Sequence, residues 1–154
     1  MARHKSKADE TVSFSISAES RTETHTVVEA RDFTFSVDEP TELGGTNAGP
    51  NPVEYLLGAL AGCLNVVGHT VAAEMDIEMR NIDVEIEGDL DPRKFMGQSE
   101  DPRAGYQQVS VSLAVETEAE DDQLETWLET VEERCPVSDN IANSTPLSLA
   151  VDRR

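Results

Sequence analysis

Apolar and polar residues alternate in three segments near the start of the chain, the pattern of half-buried β-strands. The alternating positions are Val12, Phe14 and Ile16, then His25, Val27 and Glu29 set against Val28, then Phe33, Phe35 and Val37. We therefore expect three strands of an antiparallel sheet before residue 40.

A glycine-rich loop over residues 41–50 separates these strands from the longest apolar stretch of the chain. Asn51 then suits a helix N-cap and Pro52 suits the first helical position. Glu54 stands at the third position, where its carboxylate can reach back to the cap amide. These signals predict a buried helix that begins here and runs to about Met75.

The second half of the chain repeats both kinds of pattern. Alternating apolar residues predict two further strands and a short last strand, at Ile82, Val84 and Ile86, at Val109, Val111, Leu113 and Val115, and at Leu147, Leu149 and Val151. An amphipathic helix is expected over roughly residues 120–134. Strands in hairpin runs with helices between them predict an α+β fold on a mainly antiparallel sheet, in one domain of 154 residues.

Residues 55–73 carry no formal charge and approach the length of a membrane span. Their small and polar residues favour a core helix over a membrane helix. No apolar run follows the basic start of the chain, so we expect a cytoplasmic protein, with flexible residues 1–10 and no membrane partner.

The chain is strongly acidic, with 31 Asp and Glu against 12 Lys and Arg and a formal net charge of -19. This charge repels a phosphate backbone, so nucleic acid is not an expected partner. The acids are spread along the chain, Asp38 among them, and are interpreted as a solvated coat. Such a coat supports solubility in general, and we favour the sharper hypothesis of a halophile's salt-rich cytoplasm, where salt screens the repulsion.

Two cysteines are the candidates for chemistry. Cys63 lies inside the predicted core helix, and Cys135 precedes Pro136 at the end of the amphipathic helix. No second cysteine or paired histidine has zinc-ligand spacing, so no metal is expected. Each cysteine alone is typically a small buried apolar residue, whereas the pair in two different contexts suits one thiol that reacts and one that resolves.

A reactive thiolate at Cys63 requires a cation from elsewhere, because this residue lies about three turns from the helix start. Arg31 interrupts an apolar stretch between two predicted strands and is the best candidate. A turn arginine facing water is an equally good interpretation. Arg134 is a second candidate that also suits the end of an acidic helix. Glu54 lies about 180° around a regular helix from Cys63 and about 13 Å along it, so the two do not touch within that helix.

Two alternatives stay open for Cys135. If Pro136 opens a new short helix, Cys135 is its N-cap and amide donors favour the thiolate. If Pro136 only ends the preceding helix, the helix dipole has the opposite effect.

Three sequence segments closely resemble the OsmC/Ohr family of osmotically induced and organic-hydroperoxide-resistance proteins. They are VVEARDFTFSVDEP, LGGTNAGPNPVEYLLGALAGCLNVV and VEERCPVSDNI. The resemblance implies an OsmC-like fold in an intertwined homodimer, with two active sites at the interface and no prosthetic group. By position, Cys63 resembles the peroxidatic cysteine, Cys135 the resolving one and Arg31 the arginine that holds the thiolate.

The acidic partner is where the sequence departs from the family pattern. In the family's hydroperoxide reductases the acid directly follows the Asn-Pro pair, a position that Val53 occupies here, whereas Glu54 stands one place later. We take Glu54 as the candidate.

The resemblance implies reduction of alkyl or lipid hydroperoxides, with an external dithiol as the reductant. The alternatives are an OsmC-like dimer that binds a hydrophobic small molecule or senses redox state, and a purely structural dimer.

Overall fold

The structure is a computed structural model, and it describes residues 10–154 of the chain. The chain divides into two compact units, Met1–Tyr55 and Leu56–Arg154. Both units are built on antiparallel strands, and helices lie between and after them, which confirms the α+β class. The expected flexibility of residues 1–10 lies outside the described residues except at Glu10.

The first unit contains a three-stranded antiparallel sheet in the order β1-β2-β3. The strands are β1 (Ser17–Ser20), β2 (Thr26–Ala30) and β3 (Phe33–Val37). Val28, in the central strand, is buried and pairs with Ala18 on one side and Phe35 on the other. The predicted second and third strands are confirmed by this register.

The predicted first strand is wrong in position. Strand β1 begins after the alternating residues Val12, Phe14 and Ile16, whose side chains are 72%, 93% and 66% exposed. Alternation alone does not make a strand, because a strand also needs a neighbouring edge to which it can hydrogen-bond. In the described chain, β2 is paired with Ser17–Ser20 instead.

The loop after β3 is held by a buried carboxylate. Asp38 is completely buried and accepts hydrogen bonds from the main-chain N–H groups of Glu39, Thr46 and Ala48 and from the Thr46 hydroxyl. Its assignment to the solvated acidic coat is therefore wrong. A Cβ atom at Gly45 would lie 1.9 Å from the Glu39 carbonyl oxygen, so the loop needs glycine there.

The predicted capping box opens helix α1 (Pro52–Glu74). The Glu54 main-chain N–H donates to the Asn51 side chain, and the Asn51 main-chain N–H donates to the Glu54 carboxylate at 2.8 Å. The helix is long and apolar enough to cross a membrane by length and composition, as core helices also are. One of its faces is buried, at Leu60, Leu64, Gly68, Val71 and Ala72.

The second unit contains a two-stranded hairpin and two further helices. Strands β4 (Asn81–Leu90) and β5 (Tyr106–Glu116) are antiparallel, with Ile82 opposite Val115 and Val84 opposite Leu113. Helix α2 (Asp121–Arg134) places Trp127 and Val131 in the core, and α3 (Pro136–Ala142) follows after one residue. The core of this unit joins α1, the hairpin and α2.

The predicted last strand is also wrong for the described chain. Residues 143–154 contain no helix or strand, and Leu147, Leu149 and Val151 are at least 84% exposed. As at the other end of the chain, the alternating residues have no strand edge beside them within the described structure.

Candidate active site

The second unit brings the two cysteines together. Cys63, about three turns into α1, and Cys135, between α2 and α3, have their sulfur atoms 2.8 Å apart. Both are free thiols, and a hydrogen bond joins them, for which either sulfur can hold the proton. Cys63 is half-buried, while Cys135 is fully buried. A molecule arriving from solvent therefore meets Cys63 first.

Two contacts hold α2 against α1. The buried Trp127 indole N–H donates to the carbonyl oxygen of Gly68 at 2.8 Å. Near the other end of α2, the Arg134 guanidinium binds the Glu74 carboxylate through both terminal nitrogens. The Arg134 guanidinium therefore serves to pack the two helices. Arg134 was the second candidate cation for a thiolate, and it is already paired with Glu74.

The open question about Cys135 is answered by α3. Pro136 is the first residue of this helix, and Cys135 is its N-cap, accepting a hydrogen bond from the Ser138 main-chain N–H at 3.4 Å. Burial acts to raise the pKa of the Cys135 thiol, but hydrogen bonds from Cys63, from the hydroxyl and main chain of Ser138 and from Val137 outweigh it. The net result is a lowered pKa for Cys135.

For Cys63 the effects that raise the pKa of the thiol outweigh those that lower it. Burial raises the pKa of its thiol, and the hydrogen bond and charge of Cys135 raise it further, while a main-chain hydrogen bond from Val137 lowers it. Within the described unit, the thiolate of the pair is therefore favoured on Cys135. An attacking thiolate at Cys63 needs a cation that this unit does not supply.

The other two predicted site residues lie in the first unit. Arg31 is an exposed turn residue between β2 and β3 with a positive φ of 55°, and its guanidinium carbon stacks 5.0 Å from the centre of the Phe33 ring. Glu54 is exposed and its carboxylate is used in the capping box of α1. The cation-π contact and the cap describe what these two side chains do within their own unit.

Ser138 is the site residue that sequence reasoning missed. It follows Cys135 by three residues, the spacing at which an N-cap meets the amide of the third helical residue, and this spacing is readable in the segment CPVS. Ser138 also lines a cavity of about 340 Å³ between β5 and α2, which is mostly apolar. The remaining lining residues are Leu64, Val111, Leu113, Val115, Leu124, Trp127, Leu128 and Glu132.

Residues 10–154 contain no set of metal ligands. No group of three or more His, Cys, Asp or Glu side chains there is arranged to hold a metal ion. The chemistry available at this site is that of two adjacent thiols: nucleophilic attack, oxidation and disulfide formation.

Comparison with known proteins identifies the family. The family model described as "OsmC-like protein" matches residues 45–150, well over half of the chain, and this segment includes both cysteines. The protein belongs to the OsmC-like family. None of the curated proteins is similar enough to count as a match.

Solved structures share the fold. An OsmC-like protein from Mycoplasma pneumoniae is 16% identical, with a TM-score of 0.73 over 85% of this chain and 88% of that one. A Legionella pneumophila organic hydroperoxide resistance protein, OsmC, is 22% identical, with a TM-score of 0.60 over 84% and 89%. A putative organic hydroperoxide resistance protein from Vibrio cholerae, with captopril bound in one active site, is 23% identical, with a TM-score of 0.61 over 86% and 88%. These similarities show that the chain has the OsmC-like fold.

Proposed function

We propose that the protein is a thiol-dependent peroxidase that reduces organic hydroperoxides. The Cys63 thiolate attacks the terminal peroxide oxygen, the O–O bond breaks, and the alcohol leaves after taking a proton. Cys63 is thereby oxidised to a sulfenic acid. Cys135 then forms a disulfide with Cys63, and an external dithiol reduces the disulfide by exchange.

One observation carries this proposal: the 2.8 Å separation of a solvent-accessible sulfur and a buried sulfur. The two atoms need to approach by only roughly 0.8 Å to reach a disulfide bond length of about 2.05 Å. Packing alone would bury both thiols and would not require them to share a hydrogen bond. A peroxidatic thiol at the surface with a resolving thiol behind it requires this arrangement.

The raised pKa of Cys63 makes a cation part of the proposal. We assign this role to Arg31, with Glu54 orienting its guanidinium. In this proposal both residues are supplied to the cysteine pair within a homodimer. Family membership supports the dimer, and the dimer would supply what the second unit lacks. Arg31→Gln is then expected to slow sulfenic acid formation and to leave the later disulfide step unchanged.

Single-cysteine variants test the proposed reaction. Cys63→Ser should abolish consumption of tert-butyl hydroperoxide in the presence of dithiothreitol, because the attacking sulfur is gone. When dithiothreitol is left out, Cys135→Ser should consume about one equivalent per chain and then hold a sulfenic acid on Cys63, since no second sulfur is present to displace the hydroxyl. Peroxide loss and dimedone labelling followed by mass spectrometry measure the two outcomes.

The double variant with serine at both positions serves as the control for thiol-independent consumption. Equal and full activity in both single variants would contradict the mechanism. A wild-type protein that never forms the Cys63–Cys135 disulfide under hydroperoxide would contradict it as well.

The cavity beside Ser138 supports a second candidate function, the binding of a hydrophobic small molecule without turnover. Its volume of about 340 Å³ lies at the lower end of the range for ligand sites, roughly 300 to 1,000 Å³. Unreactive thiols in the native protein, with a pKa at or above about 8.5, would favour this function over the peroxidase.

A further inference from the structure

The two sulfurs of the cysteine pair differ in their exposure to solvent. Cys135 has no exposed surface, whereas Cys63 is half-buried. Because the sulfurs already lie 2.8 Å apart, a disulfide between them needs only a small movement and does not bring Cys135 to the surface. A reductant that arrives from solvent therefore reaches the sulfur of Cys63 first.

Charge distinguishes the surroundings of the two sulfurs as well. A thiol reductant attacks as its thiolate, and the protein carries a net charge of -19. Residues 55–73, the part of α1 that contains Cys63, have no formal charge. The sequence neighbours of Cys135 include three exposed acids, namely Glu132, Glu133 and Asp139. An anionic nucleophile is therefore repelled less beside Cys63 than beside Cys135.

The thiol that leaves also affects the exchange reaction, because a better-stabilised thiolate leaves faster. The Cys135 sulfur accepts a hydrogen bond from the Ser138 main-chain N–H at 3.4 Å, as the N-cap of α3. Despite burial, hydrogen bonds lower the pKa of the Cys135 thiol, whereas burial raises the pKa of the Cys63 thiol. Cys135 is therefore the better leaving group, and an attack on Cys63 is the attack that expels it.

We propose that the external dithiol attacks the sulfur of Cys63, so that the mixed disulfide forms on Cys63 and Cys135 is expelled. This inference rests on the proposed peroxidase function and assigns the point at which its reductant enters. Cys63 then has two tasks, attack on the peroxide and acceptance of the reductant.

The exchange balances in two steps. The first thiolate of the reductant forms a bond to the Cys63 sulfur, the Cys63–Cys135 bond breaks, and its electron pair goes to Cys135, which then takes up a proton. The second thiol of the reductant attacks the reductant's own sulfur in the mixed disulfide and releases Cys63. The dithiol is thereby oxidised by two electrons to a disulfide, and the protein is reduced.

The position of the mixed disulfide tests this proposal without any peroxide. Diamide forms the Cys63–Cys135 disulfide, and a limiting amount of 2-mercaptoethanol, a monothiol, then opens it. Acid quenching at the earliest times and alkylation with N-ethylmaleimide mark the thiol that was set free. Mass spectrometry of the peptides should find mercaptoethanol mainly on Cys63 and N-ethylmaleimide mainly on Cys135.

Access to each sulfur is measured on the reduced single-cysteine variants. Methyl methanethiosulfonate, a small neutral reagent, should modify Cys63 in Cys135→Ser at least about a hundredfold faster than Cys135 in Cys63→Ser. The reason is that a fully buried thiol reacts only when the structure opens locally. In concentrated urea both variants should react at equal rates, which is the control for intrinsic reactivity.

A charge placed beside Cys63 tests the direction of approach. Val66 is exposed and lies one helical turn after Cys63, so a carboxylate there is roughly 6 Å away. At low salt, Val66→Glu should slow reduction of the diamide-oxidised protein by dithiothreitol about threefold relative to the neutral control Val66→Gln. Equal rates in the two variants would contradict an approach along this surface.

Mercaptoethanol found mainly on Cys135 would overturn the proposal, and so would equal modification rates of the two native thiols or a diamide-treated protein without the disulfide. A protein that carries mercaptoethanol on Cys63 but consumes no hydroperoxide would refute the proposed function alone.

Discussion

Asp38 is the residue whose structural role differs most from its sequence context. The nearby acids Asp32 and Glu42 are exposed, whereas Asp38 is fully buried and ties three main-chain N–H groups and one hydroxyl of the following loop to the end of β3. Hydrogen bonding from Thr46, followed by the smaller effects of Ala48, Thr24 and Glu39, outweighs burial and holds the pKa of Asp38 well below its usual value of 3.8. A carboxylate with this environment stabilises the fold only while it is charged.

Replacing Asp38 by Asn should lower the unfolding temperature at pH 7, because an amide nitrogen cannot accept from the loop donors. The folded-state pKa is depressed, so the stabilisation is present above the unfolded-state pKa near 3.8 and is lost as the pH falls below it. The difference between wild type and variant should therefore be constant from pH 7 to about 5 and shrink below about 4. Thermal unfolding followed by circular dichroism between pH 7 and 2 measures it.

Asp152→Asn is the matched control, since Asp152 is exposed after the last helix and its replacement should leave the unfolding temperature unchanged. A constant difference between wild type and Asp38→Asn down to pH 2 would mean that the Asp38 charge has no role in holding the loop.

At the residue scale, contacts set by local spacing could be predicted from the sequence, whereas the burial of a side chain could not. Asn51 and Glu54 form the cap that their spacing of three residues predicts. The same spacing joins Cys135 to the Ser138 amide, but that contact depended on whether Pro136 starts a helix, which only the structure answers. Burial of Asp38 depends on a loop that folds back over it, and no periodic pattern encodes such a loop.

At the scale of elements, packing around Gly68 positions α1 against both β4 and α2. The glycine is buried, and a Cβ atom there would lie 2.7 Å from Ile82 Cδ1 and 3.1 Å from Trp127 Cζ2. Its carbonyl oxygen accepts the Trp127 indole hydrogen bond. Because Cys63 lies on α1 and Cys135 follows α2, this close approach helps to hold the two sulfurs together.

Gly68→Ala should destabilise the protein by about 1–2 kcal/mol. Overpacking costs about 1–3 kcal/mol, and the better helix propensity of alanine returns up to about 1 kcal/mol. Gly58→Ala tests the propensity effect alone, because outside its own helix the described residues place no atom within 4 Å of a Cβ there. Urea unfolding should show the two substitutions moving the midpoint in opposite directions, and a stabilised Gly68→Ala would contradict the packing described.

The predicted elements are confirmed where the periodic segment has another element against which it can pair or pack. The hairpin of β4 and β5, the helix α1 and the amphipathic α2 are all where the pattern of apolar residues predicts them. Two terminal segments alternate just as regularly, namely the described residues up to Ile16 and the residues from Leu147 to Val151. Neither segment is a strand in the described chain. Periodicity indicates which face a strand would bury, and pairing depends on an edge elsewhere in the fold or in another chain.

At the scale of the whole molecule, the net charge of -19 is the dominant property. The outer face of β4 shows its local form: Asp83, Glu85, Glu87 and Asp89 are all exposed, while Ile82, Val84 and Ile86 turn to the other face. Residues two apart on a strand lie roughly 7 Å from one another on the same face, within the Debye length of about 10 Å at 0.1 M salt. These carboxylates therefore repel one another at low salt and are screened when the Debye length falls to about 3 Å near 1 M.

Stability should consequently rise with salt concentration, because the added ions screen the repulsion between the carboxylates. We expect the unfolding temperature to increase steadily from 0.05 to about 2 M KCl, with the steepest rise below 0.5 M, where the Debye length changes most. A variant with Asn at positions 83 and 89 and Gln at 85 and 87 should unfold at a higher temperature than wild type at 0.05 M and gain less from added salt. Sucrose at matched osmolality is the control, because it strengthens burial without screening charge. A salt response that is the same in the wild type and the variant would assign the effect to the ions' general action on burial and would contradict the view that the acidic surface adapts the protein to a salt-rich cytoplasm.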